Sequence, residues 1–404
     1  MKAREKKMKP ENDRKKTWNR NAEPVCFIAL TALIGIAYAL FYRHYVPFSW
    51  DCGYHTLFAE KLFHQSLESM AAEDPNIPIH AVTYPLYHLS LKLLAFLMGN
   101  RYYAASYCLL GASIAAAVAL LRVFLLRVAS PANEKEKIFL DLISLCSVVF
   151  VTARGPLTEW RYYARQCAAN PVHNPTIIFV RPIGILTILA FLLFLERFEK
   201  KESYWRELVL FGVASFLSVL AKPSFALVFL LAMAVIVLEQ MIRSRSLKIG
   251  FAALAAALPS AALMLWQIVV VKDETAAMEV VVRFGSFAEF TPLEVLCVSL
   301  ATFPVPLLLF SPKIFGKERT YRLAYYALAI GWLQMFFLSN GSSGDFSWGY
   351  DLAVQFSTVI ALALSQKHRL SLWRRTLALA VFIYQVACGV AYLVLVGQSF
   401  EIMI

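Results

Sequence analysis

The stretch PVCFIALTALIGIAYALFY (residues 24–42), followed closely by WDCGYH (residues 50–55), decides how this chain is organised. The first stretch is apolar and, with its flanks, long enough to cross the roughly 30 Å hydrocarbon core of a bilayer as a helix. Hydrophobic residues make up 59% of the chain and charged residues only 16%, and the mean hydropathy is +0.59. This composition predicts an all-α, polytopic integral membrane protein rather than a soluble one.

Further apolar runs give eleven predicted membrane spans in all. Several are shorter than the roughly 20 residues that an upright helix needs, so their flanks must contribute. The eleven spans lie near residues 24–42, 102–126, 138–153, 176–196, 207–221, 223–241, 249–271, 293–311, 323–338, 350–366 and 376–397. One more apolar stretch, Tyr84–Met98, is ambiguous, because counting it as a span would invert the orientation of every later segment.

The distribution of Lys and Arg resolves that ambiguity. If Tyr84–Met98 lies at the membrane interface, six cytoplasmic segments hold 28 of the 39 Lys and Arg residues, as the positive-inside rule requires. These segments are residues 1–22, 122–137, 197–206, 241–248, 313–322 and 366–375. The sequence therefore predicts a cytoplasmic amino terminus and an outer carboxyl terminus, and we expect the bacterial plasma membrane as the location.

The chain divides into a basic cytoplasmic tail, residues 1–23, and one transmembrane domain, residues 24–404. The net charge of +12 suits cytoplasmic retention and anionic lipid headgroups, so it implies no nucleic-acid partner. The predicted outer loops cover residues 43–101, 154–175, 272–292 and 339–349. Six of the seven histidines fall on this outer side, and we expect the chemistry there.

Asp51 comes shortly after the first span, at the start of a helical pattern in which Tyr54, Phe58 and Leu62 recur at i, i+4 and i+8. This spacing predicts a short amphipathic helix on the membrane surface. A carboxylate at such a position is a common helix cap, and it is also placed to act as a general base. Both roles stay open and are compatible. The residues of this loop predicted to contact the substrate are Tyr54, His55, His80 and Tyr84.

The second outer loop concentrates polar groups around Glu159, its one carboxylate, and His173, and both are predicted to contact the substrate. His173 lies between two Asn-Pro pairs, which favour a non-helical turn. It is either a hydrogen-bonded loop residue or a group that orients Asp51 or helps to bind a metal. The chain has no metal-binding spacing, so no cofactor is assigned. A divalent cation, Mg²⁺ or Mn²⁺, bound by Asp51, Glu159 and His173 is left open.

Three cations are predicted to bind an anionic substrate. Arg181 lies several residues into the fourth span, where a charge is costly and generally faces a cavity, and its fork suits phosphate oxygens. Lys222 lies at the outer end of the fifth span, where snorkelling to the interface is the alternative. Arg283, in the third outer loop, is the weaker choice. Asp345, in the last outer loop, is predicted to hydrogen-bond substrate hydroxyls.

The cysteines give no evidence of a metal site, because none of the seven forms a CxxC pair. Cys52 and Cys167 both fall in predicted outer loops. A disulfide between them in an oxidising compartment is therefore an open alternative.

The residues after the first span resemble a known family. The pattern consists of Asp51, Tyr54, Ala59 and Leu62, then Tyr-Pro-Leu-Tyr at residues 84–87 and an apolar run ending at Gly99. It resembles the first outer loop of the GT-C membrane glycosyltransferases, of the protein mannosyltransferase and aminoarabinose transferase kind. The resemblance covers about residues 24–126. It implies a lipid-linked sugar donor, an interfacial helix in this loop, and an acidic residue, here Asp51, that binds the acceptor or acts as base. Two positions depart from the family, since Cys52 replaces the second acid of its acidic pair and Leu86 its second proline.

The sequence thus predicts an integral-membrane inverting glycosyltransferase with a polyprenyl-phosphate sugar as donor and a glycan, lipid or protein as acceptor. Asp51 would deprotonate the acceptor, and the carrier phosphate would leave against Arg181 and Lys222. The alternatives are a transporter or flippase, and a glycan polymerase or ligase of the cell-envelope polysaccharide pathway. A transporter is expected to have ionisable groups in mid-span and broken helices in repeated halves.

Overall fold

The computed structural model describes residues 11–45, 50–62, 65, 69, 83, 85–158, 160, 172–274, 280–282, 291–340 and 346–398. Within this part, six helices are long and apolar enough to cross a membrane. They are Glu23–Tyr45, Tyr102–Ala129, Pro175–Glu199, Pro223–Ser244, Lys248–Gln267 and Leu372–Val396. The chain is therefore a predominantly α-helical membrane protein. The eleven-span arrangement goes beyond these six helices and stays a prediction.

The helices follow one another with short links. In chain order they are α1 (Glu11–Tyr45), α2 (Trp50–Lys61), α3 (Pro85–Leu97), α4 (Tyr102–Ala129), α5 (Glu134–Cys146), α6 (Pro175–Glu199), α7 (Trp205–Ala221), α8 (Pro223–Ser244), α9 (Lys248–Glu274), α10 (Pro292–Thr302), α11 (Pro304–Leu309), α12 (Pro312–Lys317), α13 (Arg319–Phe337), α14 (Ser347–Lys367) and α15 (Leu372–Gln398). A 3₁₀ turn covers Pro156–Thr158. Two short antiparallel strands, β1 (Val280–Val282) and β2 (Leu338–Asn340), pair Val281 with Ser339.

Proline marks the start of many of these helices, because its missing N–H costs nothing at the first helical position. Pro175 follows Asn174, whose side chain caps α6 by accepting a hydrogen bond from the amide of Ile177 at 3.1 Å. Pro223 follows Lys222, which is the whole link between α7 and α8. The same rule interrupts a predicted span at residues 293–311, since Pro304 ends α10 and begins α11.

A second predicted span, residues 138–153, is helical only as far as Cys146. The chain then runs without regular structure through a segment rich in β-branched residues, which favour extended backbone. Inside a membrane such backbone must be hydrogen-bonded by other parts of the protein. Tyr38 donates to the carbonyl of Val148 at 2.7 Å, and the amide of Val151 donates to the carbonyl of Gln385 at 3.3 Å.

The stretch predicted to lie at the interface forms α3, a helix of 13 residues. That length is less than the roughly 20 residues of an upright crossing, and the position of α3 at the interface stays a prediction. One face of α3 is buried, including Tyr87, His88 and Leu91, whereas Leu93 and Phe96 are exposed.

The bundle has two ends that differ in chemistry. We name the first the Asp51 end, which carries the starts of α2, α6, α8 and α14. We name the second the Glu318 end, where α6 and α14 finish and α13 begins. Helices pack tightly between the ends. On α4, for example, a Cβ added to Gly111 would lie 2.4 Å from the carbonyl oxygen of Gly35 on α1.

Candidate functional site

The predicted helix after the first span is present as α2, and Asp51 lies in its first turn. The turn that precedes α6 lies against it. The thiol of Cys52 donates to the carbonyl oxygen of His173 at 3.1 Å, and the hydroxyl of Tyr42 donates to the carbonyl of Val172 at 2.9 Å. These contacts bring Asp51 and His173, which are far apart in the sequence, to one place.

The carboxylate of Asp51 and the imidazole of His173 are 3.9 Å apart, measured from Oδ2 to Nε2. This distance is longer than a hydrogen bond. Burial and the nearby ammonium of Lys222 lower the pKa of His173 to about 4, so the imidazole is neutral at pH 7. His173 therefore places a neutral ring beside Asp51, whose side chain remains 32% exposed. A substrate can reach a carboxylate in this setting, and a carboxylate can act as a general base.

Lys222 lies inside the protein, with only 2% of its surface exposed. Its Nζ is 5.5 Å from the centre of the Trp348 ring, within the range of a cation–π interaction. The Trp348 ring in turn lies 5.7 Å from the ring of His173. This burial disfavours the alternative in which Lys222 snorkels to the interface. The four side chains Asp51, His173, Lys222 and Trp348 form what we name the outer-site cluster.

Arg181 has a different environment. It lies about 9 Å along the α6 axis from Pro175, is buried, and interacts electrostatically with Tyr38, Tyr42 and Asp351. With Gln355 and other residues it lines a cavity of about 60 Å³. Its predicted contact with the donor phosphate stays a prediction.

Asp351 is fully buried one turn after Trp348 on α14. Among the residues that the structure describes, neither of its carboxylate oxygens accepts a hydrogen bond. A buried polar group in this condition is uncommon and asks for an explanation. The positive charge of Arg181 acts on this carboxylate and offsets part of the cost.

His55, predicted to contact the acceptor, lies one turn further along α2 and makes a contact that the sequence did not indicate. Its Nδ1 is 2.9 Å from Nε2 of His88 on α3, and both rings are buried. Tyr87 and Phe58 pack edge-on around the pair. The histidine pair thus joins α2 to α3, while the predicted acceptor contact of His55 stays a prediction. Tyr54 packs edge-on against His55 and stays a predicted acceptor contact.

Several predicted site residues lie outside the described part of the chain. They are His80, Tyr84, Glu159, Cys167, Arg283 and Asp345. Their roles, and the disulfide between Cys52 and Cys167, stay predictions. The described residues contain no group of three or more His, Cys, Asp and Glu side chains that could hold a metal. The divalent cation left open above, with Glu159 among its ligands, is therefore untested.

The sequence did not single out Trp348 as a neighbour of Lys222, or Ser347 as a site residue. For the last outer loop, residues 339–349, the sequence predicted only that Asp345 hydrogen-bonds substrate hydroxyls. The contact between Lys222 and Trp348 depends on how α6, α8 and α14 pack, and no local sequence pattern predicts that packing.

No family model, curated protein or solved structure matches this chain. The likeness to GT-C enzymes therefore rests on the residues of the first loop, and function has to be argued from the chemistry of the cluster.

Proposed function

We propose that the chain is an inverting glycosyltransferase of the cell envelope that uses a polyprenyl-phosphate sugar as donor. The observation that carries this proposal is the outer-site cluster. It combines an accessible carboxylate, Asp51, with a buried cation, Lys222, at one end of a membrane-embedded helix bundle. A base and a cation near the headgroup region are the two charges that transfer from a lipid phosphate requires.

In the proposed reaction, an acceptor hydroxyl oxygen attacks the anomeric carbon of the donor sugar. Asp51 takes the hydroxyl proton as the new carbon–oxygen bond forms. The bond from the anomeric carbon to the phosphate oxygen breaks on the opposite face, which inverts the configuration. The carrier departs as a polyprenyl phosphate, and its growing negative charge is stabilised by Lys222.

The neutral state of His173 favours this division of roles. A protonated imidazole 3.9 Å from Asp51 would lower the pKa of the carboxyl and weaken it as a base. With the eleven-span topology and a cytoplasmic amino terminus, the cluster faces away from the cytoplasm. That is the side on which lipid-linked sugars, rather than nucleotide sugars, are expected as donors.

A transporter or flippase of lipid-linked sugars is the second candidate. The interruption of α10 and α11 at Pro304 and the irregular chain after Cys146 resemble the broken spans of transporters. The buried Arg181 and Asp351 are ionisable groups inside the bundle, which transporters also use. We rank transfer above transport because the outer-site cluster supplies a base that transport does not need.

The decisive experiment is a transfer assay in vesicles with a panel of polyprenyl-phosphate sugars, in which mass spectrometry detects the glycosylated acceptor. Asp51→Asn keeps the size and capping ability of the side chain but removes the base, so we expect transfer to fall by about 10²–10⁴-fold. The matched control is Glu60→Gln, which removes an exposed carboxylate from the same helix and should leave transfer unchanged.

Full activity of Asp51→Asn would reduce Asp51 to a helix cap and remove the proposed base. If no donor supports transfer but the wild-type protein moves a fluorescent lipid-linked sugar across the bilayer, the transporter is the correct assignment.

A further inference from the structure

Ser347 is a polar residue that the proposed mechanism does not yet use. It is the first residue of α14 and is fully buried. Its hydroxyl has no hydrogen-bond partner within the described part of the chain. Leaving a hydroxyl buried and unbonded is costly. The position of Ser347 therefore indicates that a bound ligand supplies the missing hydrogen-bond partner.

The start of α14 is suited to an anion. The first amide groups of a helix have no acceptor within the helix, and the helix dipole makes this end positive. In the described residues no side chain caps α14, a helix of 21 residues that carries Ser347 in its first turn. Within the described part of the chain, the amide groups at this helix end are thus not satisfied by a capping side chain.

Lys222 is fixed beside this helix end by close packing. A Cβ added to Gly349 would lie 2.6 Å from the carbonyl oxygen of Ser224, so the first turns of α8 and α14 are in direct contact. The ammonium of Lys222 lies 5.5 Å from the ring of Trp348, which follows Ser347. A buried hydroxyl, a helix amino terminus and a buried ammonium thus lie close together.

We propose that the start of α14 is a phosphate-binding site for a lipid phosphate, with Ser347 as hydrogen-bond donor and Lys222 as the positive charge. The identification of that lipid as the glycosyl carrier rests on the proposed function, whereas the phosphate chemistry does not. Helix amino termini with a hydroxyl and a lysine are a frequent arrangement for phosphate oxygens.

Asp351 bears on this proposal because it lies one turn below Ser347 on the same face of α14. Alone, its carboxylate would repel a phosphate. Arg181 interacts electrostatically with it from α6, so Asp351 is not an isolated acidic group beneath the site. In this arrangement Arg181 is engaged with Asp351, and Lys222 is the cation that meets the ligand.

The test measures lipid binding to the full chain in detergent by native mass spectrometry, with no transfer step. The probes are a long-chain polyprenyl monophosphate, the matching polyprenyl alcohol, phosphatidic acid and inorganic phosphate. We expect Ser347→Ala to weaken binding of the polyprenyl monophosphate about tenfold, the loss of one hydrogen bond to a charged group. Ser347→Thr keeps the hydroxyl and should bind within a few-fold of the wild type. Lys222→Met should weaken binding by at least as much as Ser347→Ala.

The matched control is Ser365→Ala, on the same helix. Ser365 is also buried, but its hydroxyl donates to the carbonyl of Leu362 at 2.7 Å, so it is already satisfied. This variant should bind the phosphate probe as the wild type does. The alcohol should bind equally to all variants, because it offers no phosphate.

Unchanged phosphate binding in both Ser347→Ala and Lys222→Met overturns the site, and so does an equal loss for the alcohol and the phosphate. Equal weakening for phosphatidic acid supports the site and assigns it to phospholipid headgroups, while weakening seen only with inorganic phosphate assigns it to the free ion. If the site fails but transfer persists, the proposed function survives without it. If binding depends on Ser347 and no donor supports transfer, the site stands and the glycosyltransferase is excluded.

Discussion

The Asp51 end and the Glu318 end of the bundle differ in whether their polar and charged groups have partners within the protein. At the Glu318 end, charged groups are matched: Glu318 lies 3.0 Å from Lys367 and 2.7 Å from His368. At the Asp51 end, the buried groups Ser347 and Asp351 form no hydrogen bond within the described residues. Both ends contain buried polar atoms, and the ion pairs of the Glu318 end are formed by the protein's own side chains.

The difference indicates what each end is for. Matched ion pairs fix the geometry of helix ends and need no ligand. Unmatched buried groups cost stability, and a protein retains them where a substrate or water completes them. We therefore expect substitutions at the Glu318 end to change mainly stability, and substitutions at the Asp51 end to change mainly ligand binding. The following changes test this difference.

The largest effect on stability is expected at the Glu318 end, from Arg122→Met. Arg122 pairs with Glu23 and, at 2.7 Å, with Asp141, and these side chains are largely buried. Removing this cation leaves Asp141 without its partner beside Glu23, which keeps only Lys137, so the free energy of unfolding should fall by about 3 kcal/mol. Thermal unfolding in detergent measures this change.

Arg127→Met is the matched control at the same end, because the Arg127–Glu196 pair is exposed and contributes at most about 1 kcal/mol. Binding of the polyprenyl monophosphate per folded molecule should be unchanged in both variants. Weaker binding in Arg122→Met would show that the two ends are not independent.

A smaller loss of stability is expected from Gly349→Ala, which adds a methyl group at the Asp51 end. The new Cβ would lie 2.6 Å from the backbone oxygen of Ser224, which cannot move without separating α8 from α14. Overpacking of this kind costs about 2 kcal/mol, and it should also weaken phosphate binding. Gly316→Ala, at a position with no atom within 4 Å, should be neutral or slightly stabilising. Equal behaviour of the two variants would contradict the close contact of α8 and α14.

The effect that is smallest at neutral pH concerns His173, because it develops only as the pH falls below 6.5. Its pKa is lowered from 6.5 to about 4 by burial and by Lys222. Between these two pH values the imidazole is protonated in the unfolded chain and neutral in the folded protein. The stability contributed by the neutral ring is complete above pH 6.5 and is lost progressively as the pH falls through 4. Unfolding midpoints measured from pH 7.5 to 4 should show this loss, and His173→Gln should flatten it. A slope that persists unchanged in His173→Gln would assign it to other groups.

The first span and α2 could be predicted because their signals are local. An apolar run and an i, i+4, i+8 spacing each describe one element and need no knowledge of its neighbours. The spans at 138–153 and 293–311 were predicted from hydropathy alone, which does not detect a break. Pro304 gives a strong local reason for the break in the second. The end of α5 at Cys146 has a weaker local signal, the β-branched residues that follow it, and the irregular backbone there also needs hydrogen bonds from α1 and α15.

The candidate site shows the same limit. Asp51, His173 and Lys222 were selected from chemistry and position, and the structure brings these three together. Ser347 and Trp348 carried no comparable signal, because serine and tryptophan are ordinary at a membrane boundary. Only the packing of α6, α8 and α14 shows that they lie beside the selected residues.

The link of one residue between α7 and α8 has a mechanical consequence. With Lys222 at its apex, the end of α7 and the start of α8 are joined directly, so a displacement of one is passed to the other. The eleven-span prediction makes α7 a crossing helix, and its 17 residues are fewer than the roughly 20 of an upright crossing. Under that prediction, a thicker bilayer would strain α7 and change its tilt. A change of tilt displaces the ammonium at the apex, so we expect the affinity for lipid phosphate to vary with the acyl-chain length of the surrounding membrane.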